Sequence, residues 1–212
     1  APLFVIGRDG ASRASGVTLR RMRLDGNREH NAELDGNYAG CIFLQDCNRV
    51  HIRSVTARNN HGDGISWQIC HDVVVENCVS ENNKNLGLHP GSGSQRPIIR
   101  HNTLRGNDIG IFFCWGVKYG LAEQNKIEGN RVGISIGHRD TDNLITGNTI
   151  RGSLRCTDPD AEGDFHARVE GPEHFTTRVK LASVRGDLDL ETDARWLGAG
   201  CGAAAVAPKP AR

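Results

Sequence analysis

The sequence predicts an all-β chain, a single-stranded right-handed parallel β-helix (solenoid) of about six coils of about 23 residues. Three observations carry this: a recurring Asn-x-aliphatic-x-x-Asn motif, a glycine-led aliphatic alternation after each copy, and a composition poor in large rings. The motif occurs at Asn77–Asn82, Asn102–Asn107, Asn125–Asn130 and Asn148–Ser153, with weaker copies at Met22–Asn27 and Ser54–Asn59. The closing positions 27, 59, 82, 107, 130 and 153 are 32, 23, 25, 23 and 23 residues apart, so the first interval has room for an extra loop.

The glycine-led element follows as Gly40-Cys41-Ile42-Phe43, Gly64-Ile65-Ser66-Trp67, Gly87-Leu88-His89-Pro90, Gly110-Ile111-Phe112-Phe113 and Gly133-Ile134-Ser135-Ile136. It reads as a turn glycine and then inward, outward, inward, the two-residue period of a strand. A third apolar run, such as Val73-Val74-Val75 or Ile98-Ile99, precedes each Asn motif. Three short strands per repeat exclude a helical solenoid, whose repeats need about 33 to 45 residues and long stretches of 3.6 period. Ile65, Leu88, Ile111 and Ile134 are expected in one inward file, with Trp67, Pro90, Phe113 and Ile136 beside it. Asn77, Asn102, Asn125 and Asn148 are expected to form a side-chain ladder, since a short amide also tolerates left-handed turn backbone.

Composition agrees with a thin aliphatic column. Aromatics are 5% of the 212 residues, and glycine, at 26 residues, is well above its usual share. A formal net charge of +1 argues against a nucleic-acid partner, and no apolar run is long enough for a membrane span. Seven irregularly spaced cysteines read mainly as small core residues. All sixteen Asn lie between positions 27 and 148, which sets the boundaries: a β-helix over 1–153, an irregular or capping segment over 154–200, and a disordered tail over 201–212.

The alternation from about 16 to 153 resembles the pectate-lyase-like superfamily of right-handed parallel β-helices. The resemblance implies a secreted or periplasmic protein with a polysaccharide groove along one strand face. Members act as lyases, hydrolases, epimerases or tailspikes, so the fold leaves the reaction open. His89-Pro90-Gly91 stands where mannuronan epimerases resemble an Asp-Pro-His pattern, and the carboxylate and second imidazole are missing here.

Counting outward from the leading glycines places Ile42, Ser66, His89, Phe112 and Ser135 on the groove face, then Leu44, Gln68, Gly91, Cys114 and Gly137. His89 is the titratable group there, suited to general acid or base work near neutral pH. The following turns carry Gln68 and His71, Trp115 and Lys118, and His138, Arg139 and Asp140. Cationic side chains there would bind a uronate carboxylate, and Trp115 would offer an apolar face to a sugar ring. Asp63 and Asp140 form an alternative hydrolase pair, geometrically strained by three coils of separation. No cofactor is expected; Ca²⁺ held by Asp46, Asp63 or Asp72 is the one metal the turns suggest.

The expected activity is a lyase acting on a uronate-containing polysaccharide. His89 would move the C5 proton, while His138, Arg139 and Lys118 neutralise the carboxylate. A glycoside hydrolase or uronate epimerase is the first alternative, and a non-catalytic glycan-binding or structural β-helix the second. The oligomeric state is open.

Overall fold

The computed structural model describes residues 3–9, 12–33, 40–157, 160–170, 174–184 and 186–195. Three parallel sheets wrap one aliphatic column, each six coils deep. The first contains Phe4–Ile6, Ile42–Gln45, Ile65–Gln68, Leu86–Gly91, Ile109–Phe113 and Val132–Ile136. The second runs from Thr18–Arg20 through His51–Arg53, Val74–Glu76, Ile98–Arg100 and Leu121–Glu123 to Leu144–Thr146. The third runs from Arg23–Asp25 through Thr56–Arg58, Val79–Glu81, Thr103–Arg105 and Lys126–Glu128 to Asn148–Thr157. Between the first and second sheets lies a chain of single bridges, Ser15 to Asn48, His71, Gln95, Lys118 and Thr141.

The corners are left-handed residues repeated coil after coil. Arg49, Asp72, Arg96, Tyr119 and Asp142 turn into the second sheet at φ 53°, 59°, 54°, 58° and 60°. Ser54, Asn77, His101, Gln124 and Gly147 turn into the third, and Asn59, Asn82, Gly106 and Gly129 turn out of it. Asn and Gly are at home in this region, whereas most other L residues are strained there.

Two asparagine ladders hold the coils in register. In one, the Cys78 N–H donates to Asn102 Oδ1, the Asn102 N–H to Asn125 Oδ1, and the Asn125 N–H to Asn148 Oδ1, at 2.9, 3.0 and 2.9 Å. In the other, Asn60, Asn83 and Asn107 donate their backbone N–H to Asn83, Asn107 and Asn130 at 3.2, 3.1 and 2.9 Å. The amides of Asn83, Asn102, Asn107, Asn125, Asn130 and Asn148 also donate to a carbonyl of an earlier coil, as Asn125 Nδ2 does to Ile99 O. The amides thus satisfy backbone groups that the corner removes from the sheet ladders.

This arrangement corrects the expected register at three places. Asn77 is a corner, and its place in the ladder belongs to Cys78. Asn59 and Asn82 are corners too, so Asn60 and Asn83 carry the second ladder. Ile42 and Leu44 point into the column with no exposure, while Phe43 and Gln45 face out, because Ile42 pairs with Ile65 and Phe43 with Ser66. Gly40 stands one residue ahead of the glycine file, and Cys41 occupies the position of Gly64. Gly64, Gly87, Gly110 and Gly133 do not have positive φ. They are glycine because the next coil leaves no room: a Cβ on Gly87 would lie 2.6 Å from Gly110 O, and one on Gly110 would lie 2.5 Å from Gly133 O.

The inward files are otherwise as the spacing predicts. Ile65, Leu88, Ile111, Trp67 and Phe113 are fully buried, and Ile136, on the last coil, is 52% exposed. The extra loop after Asp25 holds a short 3-10 turn, Arg28–His30, and its His61 Nε2–Asn31 O contact of 3.0 Å ties it to the coil above. Beyond the last coil, where an irregular or capping segment is expected, the third sheet changes direction. Asn148–Thr157, Asp160–Val169, His174–Ser183 and Leu188–Arg195 form an antiparallel meander that extends it. The expected tail, 201–212, lies outside the described residues.

Candidate functional site

The candidate residues separate into a buried cluster on the outer face of the first sheet and an exposed rim at its first corner. On the outer face, register places Phe43, Ser66, His89, Phe112 and Ser135 in one file. Asp63 ends the loop before Ile65–Gln68. Its Oδ1 accepts the Leu86 N–H at 3.1 Å, and its Oδ2 lies 2.8 Å from His89 Nδ1. One carboxylate therefore spans the start and middle of the next coil's strand.

A carboxylate only accepts, so this bond places a hydrogen on Nδ1 and, in neutral imidazole, leaves the Nε2 lone pair free. Nε2 is buried without a partner. The Phe112 ring stacks on the imidazole, centroids 5.9 Å apart and planes 16° from parallel. Gln68 sits beside it over Gly91, where a Cβ would lie 2.5 Å from Gln68 Oε1, and both amide atoms of Gln68 are likewise buried without partners. His89 is on the expected strand face, but at 2% exposure it is not on an open surface. Cys114 follows in the neighbouring outward file; burial, with Asp140 and Asp63 nearby, pushes its thiol up to about 11, which keeps it protonated near neutral pH.

At the rim, the corner that leaves the first sheet contains Asp46, Ile69, Ser92, Trp115 and Arg139 at φ 52°, 55°, 42°, 66° and 63°. Ile69 and Trp115 are 46% and 68% exposed. A β-branched or bulky residue in left-handed backbone is strained, and exposing its apolar side chain adds to the local cost. The His138 ring meets Trp115 edge-on at 6.1 Å and 84°. Four residues along the same coil, Tyr119 is 59% exposed at the next corner, where the other occupants are Gly, Arg and Asp. Lys118 lies between these aromatics, two bridges from His71 with Gln95 between.

The rim also carries charge. On the solenoid body, arginines pair with a carboxylate of an adjacent coil: Arg58 with Asp25, Arg96 with Asp72, Arg100 with Glu76, Arg105 with Glu81 and Arg131 with Asp108. Among the described residues, Lys118 and Arg139 have no such partner, as is also true of Arg20, Arg21, Arg23, Arg28, Arg53 and Arg151 elsewhere on the solenoid. Asp140 forms no ion pair with Arg139; its Oδ1 accepts the Val117 N–H at 2.6 Å and its Oδ2 the Gly137 N–H at 2.9 Å.

The structure therefore brings together Asp63 with His89 and Trp115 with His138, and keeps His71 apart from Lys118, with Gln95 of the intervening coil between them. It does not join Asp63 to Asp140, whose oxygens are committed to backbone donors, nor Gln68 to the rim. Asp72 holds Arg96 through both oxygens at 2.7 and 3.0 Å, so Ca²⁺ at Asp63 or Asp72 would have to displace existing partners. No group of three or more His, Cys, Asp or Glu is placed to hold a metal among the described residues. Sequence reasoning missed Tyr119 and Ile69; the available signal was an aromatic or aliphatic residue in a corner file otherwise filled by polar side chains or glycine.

No helix among the described residues is long and apolar enough to cross a membrane. No curated protein matches the chain. Among solved structures, the Dettilon tailspike protein is similar at 13% identity and a TM-score of 0.44, over 81% of this chain and 48% of the tailspike chain. This chain thus spans about half the length of that relative. The family described as right handed beta helix region matches residues 39–155. With those residues forming the stacked parallel coils, the chain belongs to the right-handed β-helix family.

Proposed function

We propose that the protein binds an acidic polysaccharide across the rim, with Trp115 and Tyr119 as sugar platforms and Lys118 and Arg139 as carboxylate contacts. The observation that carries this reading is Trp115, 68% exposed in left-handed backbone beside two unpaired cations. A flat apolar ring next to unneutralised guanidinium and ammonium groups matches a uronate, which has one apolar ring face and one carboxylate. The tailspike likeness is too distant to support a ligand. The test is affinity for uronate-containing against neutral polysaccharides, by calorimetry or affinity electrophoresis. Binding of the acidic polymers that Trp115→Ala weakens at least tenfold supports the reading; equal affinity for both classes, or an unaffected Trp115→Ala, rejects it.

A second reading, polysaccharide lyase, rests on the Asp63–His89 bond of 2.8 Å. Asp63 orients the imidazole so that Nε2 would take the C5 proton of a uronate, and rim cations would stabilise the developing enolate. At 2% exposure, His89 reaches a substrate only after the outer face opens. Unsaturated product formed by the native chain and abolished in His89→Ala would establish it; saccharide binding without product would leave the rim as a binding site alone.

A further inference from the structure

The first inward corner stacks two thiols. Cys47 and Cys70 occupy equivalent positions on successive coils, next to the bridged pair Asn48 and His71. Both are fully buried, and their Sγ atoms are 3.5 Å apart. The other described thiols have no sulfur neighbour: Cys41 faces Arg58 O at 3.7 Å, and Cys78 donates to Glu76 O at 3.2 Å.

We propose that Cys47 and Cys70 are a disulfide site, forming a covalent staple between two adjacent coils under oxidising conditions. Adjacent parallel strands lie about 4.8 Å apart, inside the Cα separation of about 4.4–6.8 Å that a disulfide spans, so only the side chains need to adjust. The pair is also chemically polarised. The Cys70 thiol, by hydrogen bonding, lowers the pKa of Cys47, while Cys47 and burial raise that of Cys70.

The oxidant is a small disulfide such as oxidised glutathione. The Cys47 thiolate attacks one of its sulfurs and expels a glutathione thiolate. Cys70, deprotonated in turn, attacks Cys47 Sγ and expels the second. One S–S bond forms and one breaks; the two cysteine protons end on two glutathione thiols. Because both sulfurs are buried, the exchange takes place while the coils close during folding or open transiently.

The experiment refolds the full chain in a glutathione redox buffer, caps free thiols in denaturant, and maps disulfides by peptide mass. The expected result is a Cys47–Cys70 link in folded protein, and a melting midpoint about 10 °C above that of the reduced chain, following the entropy of closing a loop of this length. Cys70→Ala should remove both the link and the reductant-sensitive shift. Folded, oxidised protein with both thiols still free, or with either bonded elsewhere, overturns the proposal. The comparison of native chain with and without reductant decides the matter even if Cys70→Ala does not fold.

Discussion

The corner that leaves the third sheet and the corner that leaves the first solve the same geometric problem in opposite ways. At the former, Asn59, Asn82, Gly106 and Gly129 take up left-handed backbone, and the residue after each is an asparagine of the second ladder. At the latter, where Asp46 and Ser92 are also left-handed, Ile69, Trp115 and Arg139 occupy left-handed backbone that suits none of the three, and their side chains point to solvent. The first corner type is built for stacking. The second gives up backbone ease to present side chains, the pattern expected of a surface that contacts something else.

The largest effect expected from testing this contrast is in the ladder. Asn125→Ala removes the acceptor for the Asn102 N–H and the donor to Ile99 O, both inside the stack. Leaving such groups unpaired costs about 1–3 kcal/mol each, so chemical denaturation should show a loss of about 3–5 kcal/mol. A loss below about 1 kcal/mol would mean that water replaces the amide and that the ladder is not what holds the coils.

Substitution at the rim should go the other way. Trp115→Gly and Ile69→Gly relieve left-handed strain and should leave stability unchanged or raise it by up to about 1 kcal/mol. Trp115→Gly should nevertheless lose polysaccharide affinity at least tenfold, as Trp115→Ala does. A marked fall in the melting midpoint of either glycine variant would make these residues structural and erase the distinction between the corners.

The smallest effect concerns the ion-paired surface of the second sheet. Arg100, by hydrogen bonding, then His51 hold the Glu76 carboxyl below its usual range. A carboxylate depressed in the folded state contributes stability above its unfolded pKa and loses it as pH falls through the folded one. Glu76→Gln should therefore cost less than about 1 kcal/mol at pH 7 and flatten the decline of stability below about pH 4.5. An unchanged acid limb would show that the pair contributes nothing measurable.

How far the sequence could be read follows from the same contrast. The coil period, the strand faces and most of the inward files were legible because a solenoid repeats its steric demands every coil. Register was less so. Asn59-Asn60 and Asn82-Asn83 offer two asparagines for one ladder position, and Gly40 imitates a glycine file that begins one residue later. The meander was not legible because 154–195 has neither the period nor the asparagines, and antiparallel pairing needs neither.

Sequence by itself determined that this chain is a parallel β-helix and that His89, Trp115 and the rim cations stand on or beside one sheet. Tertiary structure alone decided that Asp63 reaches His89, that Asp140 caps backbone instead of pairing with Arg139, and that His89 is enclosed while Trp115 is open. The physical reason is that backbone periodicity fixes which file a residue joins. Which atoms meet, and which water can reach, depends on contacts between coils 23 or more residues apart in the chain.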